Sequence, residues 1–179
     1  RIGDRVMIVG VSTGATLAVS GFNAGRNADA FVAISPNFRI KNPAARVLTL
    51  PAARHWVPPL FGAERAFEVE NEDHGRFWTN SYPSTALMPM AALVGDARGA
   101  EFDDFDIPAL FIFDAEDSVV DHAETRAVAA RWGGPATMAE VVTGAGDDPS
   151  RHVIAGDILS PGMTEDMARL ISTWVGDLR

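Results

Sequence analysis

The apolar residues of this chain fall into compact blocks, and the blocks alternate between strand and helix character. Val6, Met7, Ile8 and Val9 form an apolar run that stops at Gly10. Ala15, Leu17, Ala18 and Val19 then continue without period-two alternation, as a buried helix does. Gly21 to Gly25 ends that helix, and Ala30-Phe31-Val32-Ala33-Ile34-Ser35 reads as a second buried strand closed by Pro36. Strand, helix and strand in this order form a βαβ unit, which implies parallel pairing with a right-handed crossover. Pro108-Ala109-Leu110-Phe111-Ile112-Phe113 predicts a third buried strand, and Ala139-Glu140-Val141-Val142-Thr143 a short fourth. In the last segment Met167, Leu170, Ile171, Trp174, Val175 and Leu178 recur at helical spacing, with Thr164 as the expected cap. The fold class is therefore α/β, a mostly parallel sheet flanked by helices.

The stretch between the second and third strands has a different character. From about residue 37 to residue 106, Pro43, Pro51, Pro58, Pro59, Pro83 and Pro89 interrupt segments that carry Trp56, Phe61, Phe67, Phe77, Trp78 and Tyr82. Short broken helices fit this pattern. About 70 residues is far longer than an ordinary connection, so an inserted subdomain is expected. Three parts follow: 1–36, 37–106 as the insertion, and 107–179.

Chemistry enters at the first turn. Gly10-Val11-Ser12-Thr13-Gly14 has the G-x-S-x-G form of a nucleophile elbow, where a sharp strand-to-helix turn pushes the serine hydroxyl out of the backbone. Glycine is expected on both sides because strand and helix pass too closely for a Cβ. The helix starting at Thr13 aims its free N–H groups and positive dipole end at the space above Ser12, so the Thr13 N–H is the expected oxyanion donor. Five residues with three fixed letters also arise by chance. The apolar strand before the motif and the small-residue helix after it supply the context.

A serine hydroxyl needs a base, and the base needs a carboxylate to orient it. Of His55, His74, His122 and His152, the first two lie in the insertion and His122 sits in the first turn of a helix, where solvation is expected. His152 alone occupies the polar loop after the fourth strand. At the carboxyl end of the third strand, where open α/β sheets place active residues, stand Asp114, Glu116, Asp117 and Asp121. Asp121 with Glu124 reads as a capping box for the helix that follows, which leaves three acids. Asp114 is still at the strand exit, where the pleat sets its direction. Asp117 has three further residues in which to turn upward. The order Ser12, Asp117, His152 results.

Composition narrows the remaining choices. The 179 residues, 47% apolar and 22% charged, are enough for one domain with a core. A net charge of −9 argues against nucleic acid and anionic membrane surfaces as partners. The absence of cysteine removes disulfides, thiolate metal sites and thiol nucleophiles, and leaves the compartment open. No cofactor or metal is expected. The acidic run Glu101 to Asp106 lacks the glycine and spacing of a calcium loop and reads as solvated. No apolar run approaches the roughly 20 residues of a membrane span, and no leader pattern opens the chain. Stable membrane insertion is thus not expected, and the expected location is the cytoplasm.

GVSTGA, IPALFIFDAEDSVVD and DDPSRHVIAGD resemble the nucleophile, acid and histidine segments of the α/β-hydrolase superfamily. NPAARVLTLP and FWTNSYPSTALMPMAALV resemble the cap of bacterial lysophospholipase or monoacylglycerol lipase-like serine hydrolases. The resemblance implies a C-terminal part of that fold, from the elbow onward. It implies Ser12 as nucleophile, Asp117 as acid, His152 as base and the Thr13 N–H as oxyanion donor. It also implies a small-molecule acyl ester as substrate, with the insertion as a lid whose Trp56, Trp78, Met88 and Met90 meet the acyl chain. The family's second oxyanion donor, commonly in an HG-type motif on an earlier loop, has no counterpart here. A fragment is therefore expected, with an open sheet edge and a missing segment or another chain as its partner. The alternative is a hydrolase-fold chain that binds without catalysing.

Overall fold

The structure is a computed structural model and describes residues 3–178. Strand β1 (Met7–Val11) turns at Ser12 into α1 (Thr13–Asn23), which returns to β2 (Ala30–Ile34). The insertion follows, with a 3₁₀ segment (Pro43–Thr49), α2 (Ala53–Phe61), β3 (Glu64–Ala66), α3 (Glu72–Phe77), β4 (Ser81–Pro83) and α4 (Leu87–Arg98). The chain re-enters the sheet at β5 (Ala109–Asp114), crosses through α5 (His122–Ala130) to β6 (Ala136–Val141) and ends on α6 (Thr164–Asp177). The sheet order is β1-β2-β5-β6, every pair parallel.

The continuous apolar blocks of β2 and β5 make sense once both faces are covered. Phe31 and Ala33 with Ala109 and Phe111 face Ala15, Val19 and Phe22 of α1 and Val128 and Ala129 of α5. The alternate residues Ala30, Val32, Ile34, Leu110 and Ile112 face Met167 and Trp174 of α6. Leu170, Ile171, Val175 and Leu178 pack against the same cluster, so the whole predicted stripe of α6 meets the sheet. On the α1 and α5 side, Trp132 is ringed by Phe22, Phe31, Phe102, Phe105 and Phe111, and its Nε1 donates to the Ile107 carbonyl at 2.7 Å.

The two outer strands differ from the inner pair. β6 begins at Ala136 instead of Ala139, and the expected Val142 lies beyond its end and is 72% exposed. An outer strand keeps a solvated side, so Ala136-Thr137-Met138 enters it without an apolar block to announce it. β1 forms the opposite edge. Met7, Val9 and Val11, which share the α6 side of the sheet with their partners Ala30, Val32 and Ile34, are 41–48% exposed.

Two helix ends, the N-termini of α5 and α6, depart from the sequence expectations. Asp121 does cap α5, accepting from Ala123 N, but the reciprocal half of the capping box is missing. Asp121 N donates to the Arg39 carbonyl instead, and the Glu124 carboxylate pairs with Arg39 and Arg98. His122 is half-buried, not solvated, because its ring stacks on Phe113 at 6.0 Å. Thr164 is the first residue of α6, not its cap: a 3₁₀ turn (Pro161–Met163) leads into the helix, and the Thr164 hydroxyl caps nothing.

The insertion is not helical alone, since β3 and β4 pair antiparallel within it. Both its ends are tied to the sheet layers. At the entrance Ile40 bridges Val120, Lys41 N donates to the Val119 carbonyl and Lys41 Nζ donates to the Asp117 carbonyl at 2.8 Å. At the exit α4 packs on α1, and Ala97, Ala100 and Phe102 join the core formed by Phe31 and Phe111. The last ten or so residues of the 37–106 span thus belong to the core packing, though Glu101, Asp103, Asp104 and Asp106 themselves point to solvent.

Candidate active site

At the end of β1 the chain turns so tightly that Ser12 adopts φ 51°, ψ −122°, a left-handed conformation that a serine occupies at a cost of about 1–3 kcal/mol. Surrounding bonds hold it there. Ser12 N donates to the Ile34 carbonyl at 2.9 Å, and the Ser12 carbonyl accepts from Ala15 N at 3.1 Å and Asn37 N at 3.2 Å. Gly10 is required sterically, because a Cβ there would lie 2.5 Å from Ala15 Cα and 2.7 Å from Ala15 N. Gly14 is not. A Cβ at Gly14 meets nothing within 4 Å, so the close approach expected on both sides exists on one.

Ser12 occupies the N-cap position of α1 yet makes no capping bond with its side chain. Its hydroxyl is turned to the His152 ring, Oγ to Nε2 at 2.8 Å. His152 Nδ1 lies 2.8 Å from Asp117 Oδ2. With an acid on Nδ1, the tautomer that satisfies both contacts carries its proton on Nδ1 and accepts the Ser12 proton at Nε2. The other carboxylate oxygen, Asp117 Oδ1, accepts from Val119 N at 2.7 Å and Val120 N at 2.9 Å, and Asp117 is fully buried. Thr13 is the first residue of α1, where an N–H has no intrahelical acceptor.

The two competing acids are committed elsewhere. Asp114, 1% exposed, accepts from Glu116 N, Thr143 N and Thr143 Oγ1 and so joins the ends of β5 and β6. Burial pulls its pKa up, but those bonds, with Arg151 nearby, outweigh burial and hold it below the ordinary carboxylate value. Glu116 is exposed and paired with Arg151.

The four insertion residues expected to meet an acyl chain fare unequally. Met90 reaches the elbow indirectly: Asn37 Nδ2 lies 3.5 Å from Met90 Sδ and 3.3 Å from Thr13 Oγ1, while Asn37 N holds the Ser12 carbonyl. Trp56 donates to the Pro51 carbonyl and Trp78, 44% exposed, stands edge-on to His74, so both engage the insertion's own residues. Met88, in α4, is half-buried. His74 is buried and accepts from Glu70 N, and His55 is exposed on α2. Among the described residues no three His, Asp or Glu side chains are grouped to hold a metal ion. Asn37 and Lys41 escaped the sequence reading. An Asn directly after a strand-ending Ser-Pro pair, opposite the elbow in a βαβ unit, was the available signal for the first.

No protein-family model and no curated protein matches the chain. Solved structures do. A metagenome-derived lipolytic enzyme superposes with TM-score 0.70 at 17% identity, over 98% of this chain and 65% of its own. A monoacylglycerol lipase of Paleococcus ferrophilus gives 0.68 at 15% identity, over 99% of this chain and 70% of the other. A soluble variant of the Saccharomyces cerevisiae monoglyceride lipase gives 0.64 at 10% identity, over 98% and 63%. The fold is that of the α/β-hydrolases. At these identities the fold is what is shared, and the chain spans about two thirds of the length of these structures. The α/β-hydrolase framework accounts for the layout described above, with Ser12 after β1, Asp117 after β5 and His152 after β6.

Proposed function

We propose that this chain is a serine hydrolase of carboxylic esters, acting through an acyl-enzyme on a lipophilic acyl ester of the lysophospholipid or monoacylglycerol kind. The observation that carries the reading is the unbroken line Asp117–His152–Ser12, with both links at 2.8 Å, ending on a strained, half-buried elbow serine. Ser12 Oγ attacks the ester carbonyl carbon while its proton passes to His152 Nε2. The carbonyl π electrons move to oxygen, where the Thr13 N–H stabilises the negative charge. Collapse of this intermediate breaks the bond to the alcohol oxygen, which takes the proton from His152. Water then repeats the sequence on the acyl-Ser12 ester, releasing acid and free enzyme. Asp117 keeps Nδ1 protonated and offsets the charge of the imidazolium.

The substrate class rests on the insertion. It leaves after β2 and returns before β5, so both ends sit at the rim that carries Ser12 and Asp117. Residues 37–106 act as its lid, with Met90 and Met88 of α4 meeting the acyl chain and Trp56 and Trp78 bracing the insertion itself. The experiment is fluorophosphonate labelling together with hydrolysis of p-nitrophenyl esters of graded length by wild type and Ser12→Ala. Labelling confined to Ser12 and a loss in kcat of about 10⁴-fold or more are expected. An alanine variant with near-normal turnover sinks the assignment.

A second reading is favoured by the exposed side of β1. A site completed by further polypeptide lying along that edge would supply the second oxyanion donor, and the isolated chain would then bind substrate without turning it over.

A further inference from the structure

The base of the proposed triad stands on a segment without regular structure. Between the end of β6 at Val141 and the turn at Pro161 there is neither helix nor strand, so no ladder of backbone bonds fixes His152. Arg151, its neighbour, has φ 56°. Yet the His152 ring must be placed within a few tenths of an ångström to span Ser12 and Asp117. Something other than secondary structure has to do this.

We infer that Asp148 is the positioning residue for His152, a buried carboxylate on which the histidine loop is wound. This rests on the hydrolase reading for its functional meaning. Asp148 is 7% exposed. Its Oδ2 accepts from His152 N at 3.0 Å, Val153 N at 2.7 Å and Ser150 Oγ at 2.6 Å, and its Oδ1 accepts from Ser150 N at 3.0 Å. The Asp148 carbonyl accepts from Arg151 N at 2.9 Å, closing the turn from the other side. Three backbone N–H groups on both sides of the ring-bearing Cα therefore converge on one side chain. They replace the sheet ladder that this loop lacks.

The knot is anchored outward as well. Asp148 N donates to Ser160 Oγ at 3.1 Å, and Ser160, fully buried, in turn donates to the Val153 carbonyl. Ser118 N and Oγ both donate to the Ser150 carbonyl, which fastens the loop to the segment that carries Asp117. Burial raises the pKa of Asp148. The bonds from Ser150, Val153 and His152 outweigh it, so the carboxylate stays ionised well into acid. An ionised acceptor gives short, strong bonds to N–H groups, which a neutral amide does not match.

The test is Asp148→Asn in the 179-residue chain. The amide oxygen can replace Oδ2, but its NH₂ then faces the Ser150 N–H, donor against donor. Two readouts are needed: fluorophosphonate labelling rate per folded molecule, and the downfield NMR resonance of the His152 Nδ1 proton held against Asp117. The expected result is a 10- to 100-fold slower labelling and a shifted or broadened Nδ1 resonance, with near-UV circular dichroism like wild type. Ser150→Ala removes one of the four bonds and should slow labelling by about two- to fivefold, and it serves if the Asn variant does not fold. Wild-type labelling and an unmoved resonance in the folded variant overturn the inference. The resonance needs no substrate, so a wild-type chain that hydrolyses no ester yet loses the signal on Asp148→Asn refutes the enzymatic reading and keeps this one.

Discussion

Adding one methyl group to either glycine of the elbow should have opposite consequences. At Gly10 the new Cβ would sit 2.5 Å from Ala15 Cα, 2.7 Å from Ala15 N and 2.9 Å from Gly14 C, all backbone atoms that cannot rotate away. Ordinary contact between carbons begins near 3.5 Å, so β1 and α1 must separate by about 1 Å. Overpacking of this kind costs about 1–3 kcal/mol, and the stiffer unfolded chain returns about 0.4–1 kcal/mol of it. The net loss, about 1–2 kcal/mol, corresponds to a Tm lower by roughly 2–8 °C for a chain of this length. Ser12 rides on the same turn. A displacement of about 1 Å would stretch its 2.8 Å contact with His152 beyond hydrogen-bond range, and a misplacement of that size costs about 10²-fold in rate. At Gly14 no atom lies within 4 Å of the new Cβ, the residue is helical, and Ala is favoured over Gly there by up to about 1 kcal/mol. Gly14→Ala should therefore raise Tm by roughly 2–4 °C with labelling of Ser12 unchanged. Differential scanning calorimetry and the fluorophosphonate labelling rate read both effects. A Gly10→Ala variant that melts and labels like wild type refutes the steric account of the elbow.

The acids near β5 should separate by role: Asp117→Asn is expected to lower kcat by about 10⁴-fold, as loss of the tautomer-setting acid does, whereas Asp114→Asn should act on stability far more than on kcat. Because the folded pKa of Asp114 is lowered, its contribution is present above the unfolded value of about 3.9 and lost as pH falls through the folded value. Acid unfolding of Asp114→Asn should then depend less steeply on pH than that of wild type, and equal slopes would count against the role assigned to Thr143 and Glu116 N–H. In the insertion, Met90→Ala should alter the preferred acyl length while Trp78→Ala, 44% exposed and set against His74, leaves it alone; chain-length profiles of the two variants decide, and a shift confined to Trp78→Ala would reverse the picture of the lid.

Much of the framework was legible because it depends on burial patterns that one sequence displays. β2 and β5 are covered on both faces, so their composition is apolar at every position and their ends are marked by Pro36 and by Asp114. The stripe of α6 is legible for the same reason. β6 was misplaced because a solvated outer strand carries no such mark, and β3 and β4 were missed because three-residue strands leave no period to detect. The triad candidates emerged from order along the chain, which reports on which strand end a residue follows. Order does not report on direction: Asp114 turns to Thr143 through bonds from Glu116 N and Thr143, and Asp117 to His152 through bonds from Val119 N and Val120 N. Lys41 and Asp148 were invisible for a related reason. Each bonds mainly to backbone atoms of its partners, and backbone atoms carry no sequence signature.

The ties at the entrance of the insertion fix where that segment can pivot. With Ile40 bridged to Val120 and Lys41 bonded to both Val119 and Asp117, the first residues after β2 are fastened to the loop that carries Asp117. With α4 seated on α1, the other end is fastened to the helix that follows Ser12. In the lid proposed above, any joint therefore lies inside the insertion, between Asn42 and Ala86, and its two posts are the loops that carry Ser12 and Asp117. On that proposal, a ligand wedged under the insertion would load its force onto Asp117 and the elbow, not onto the sheet.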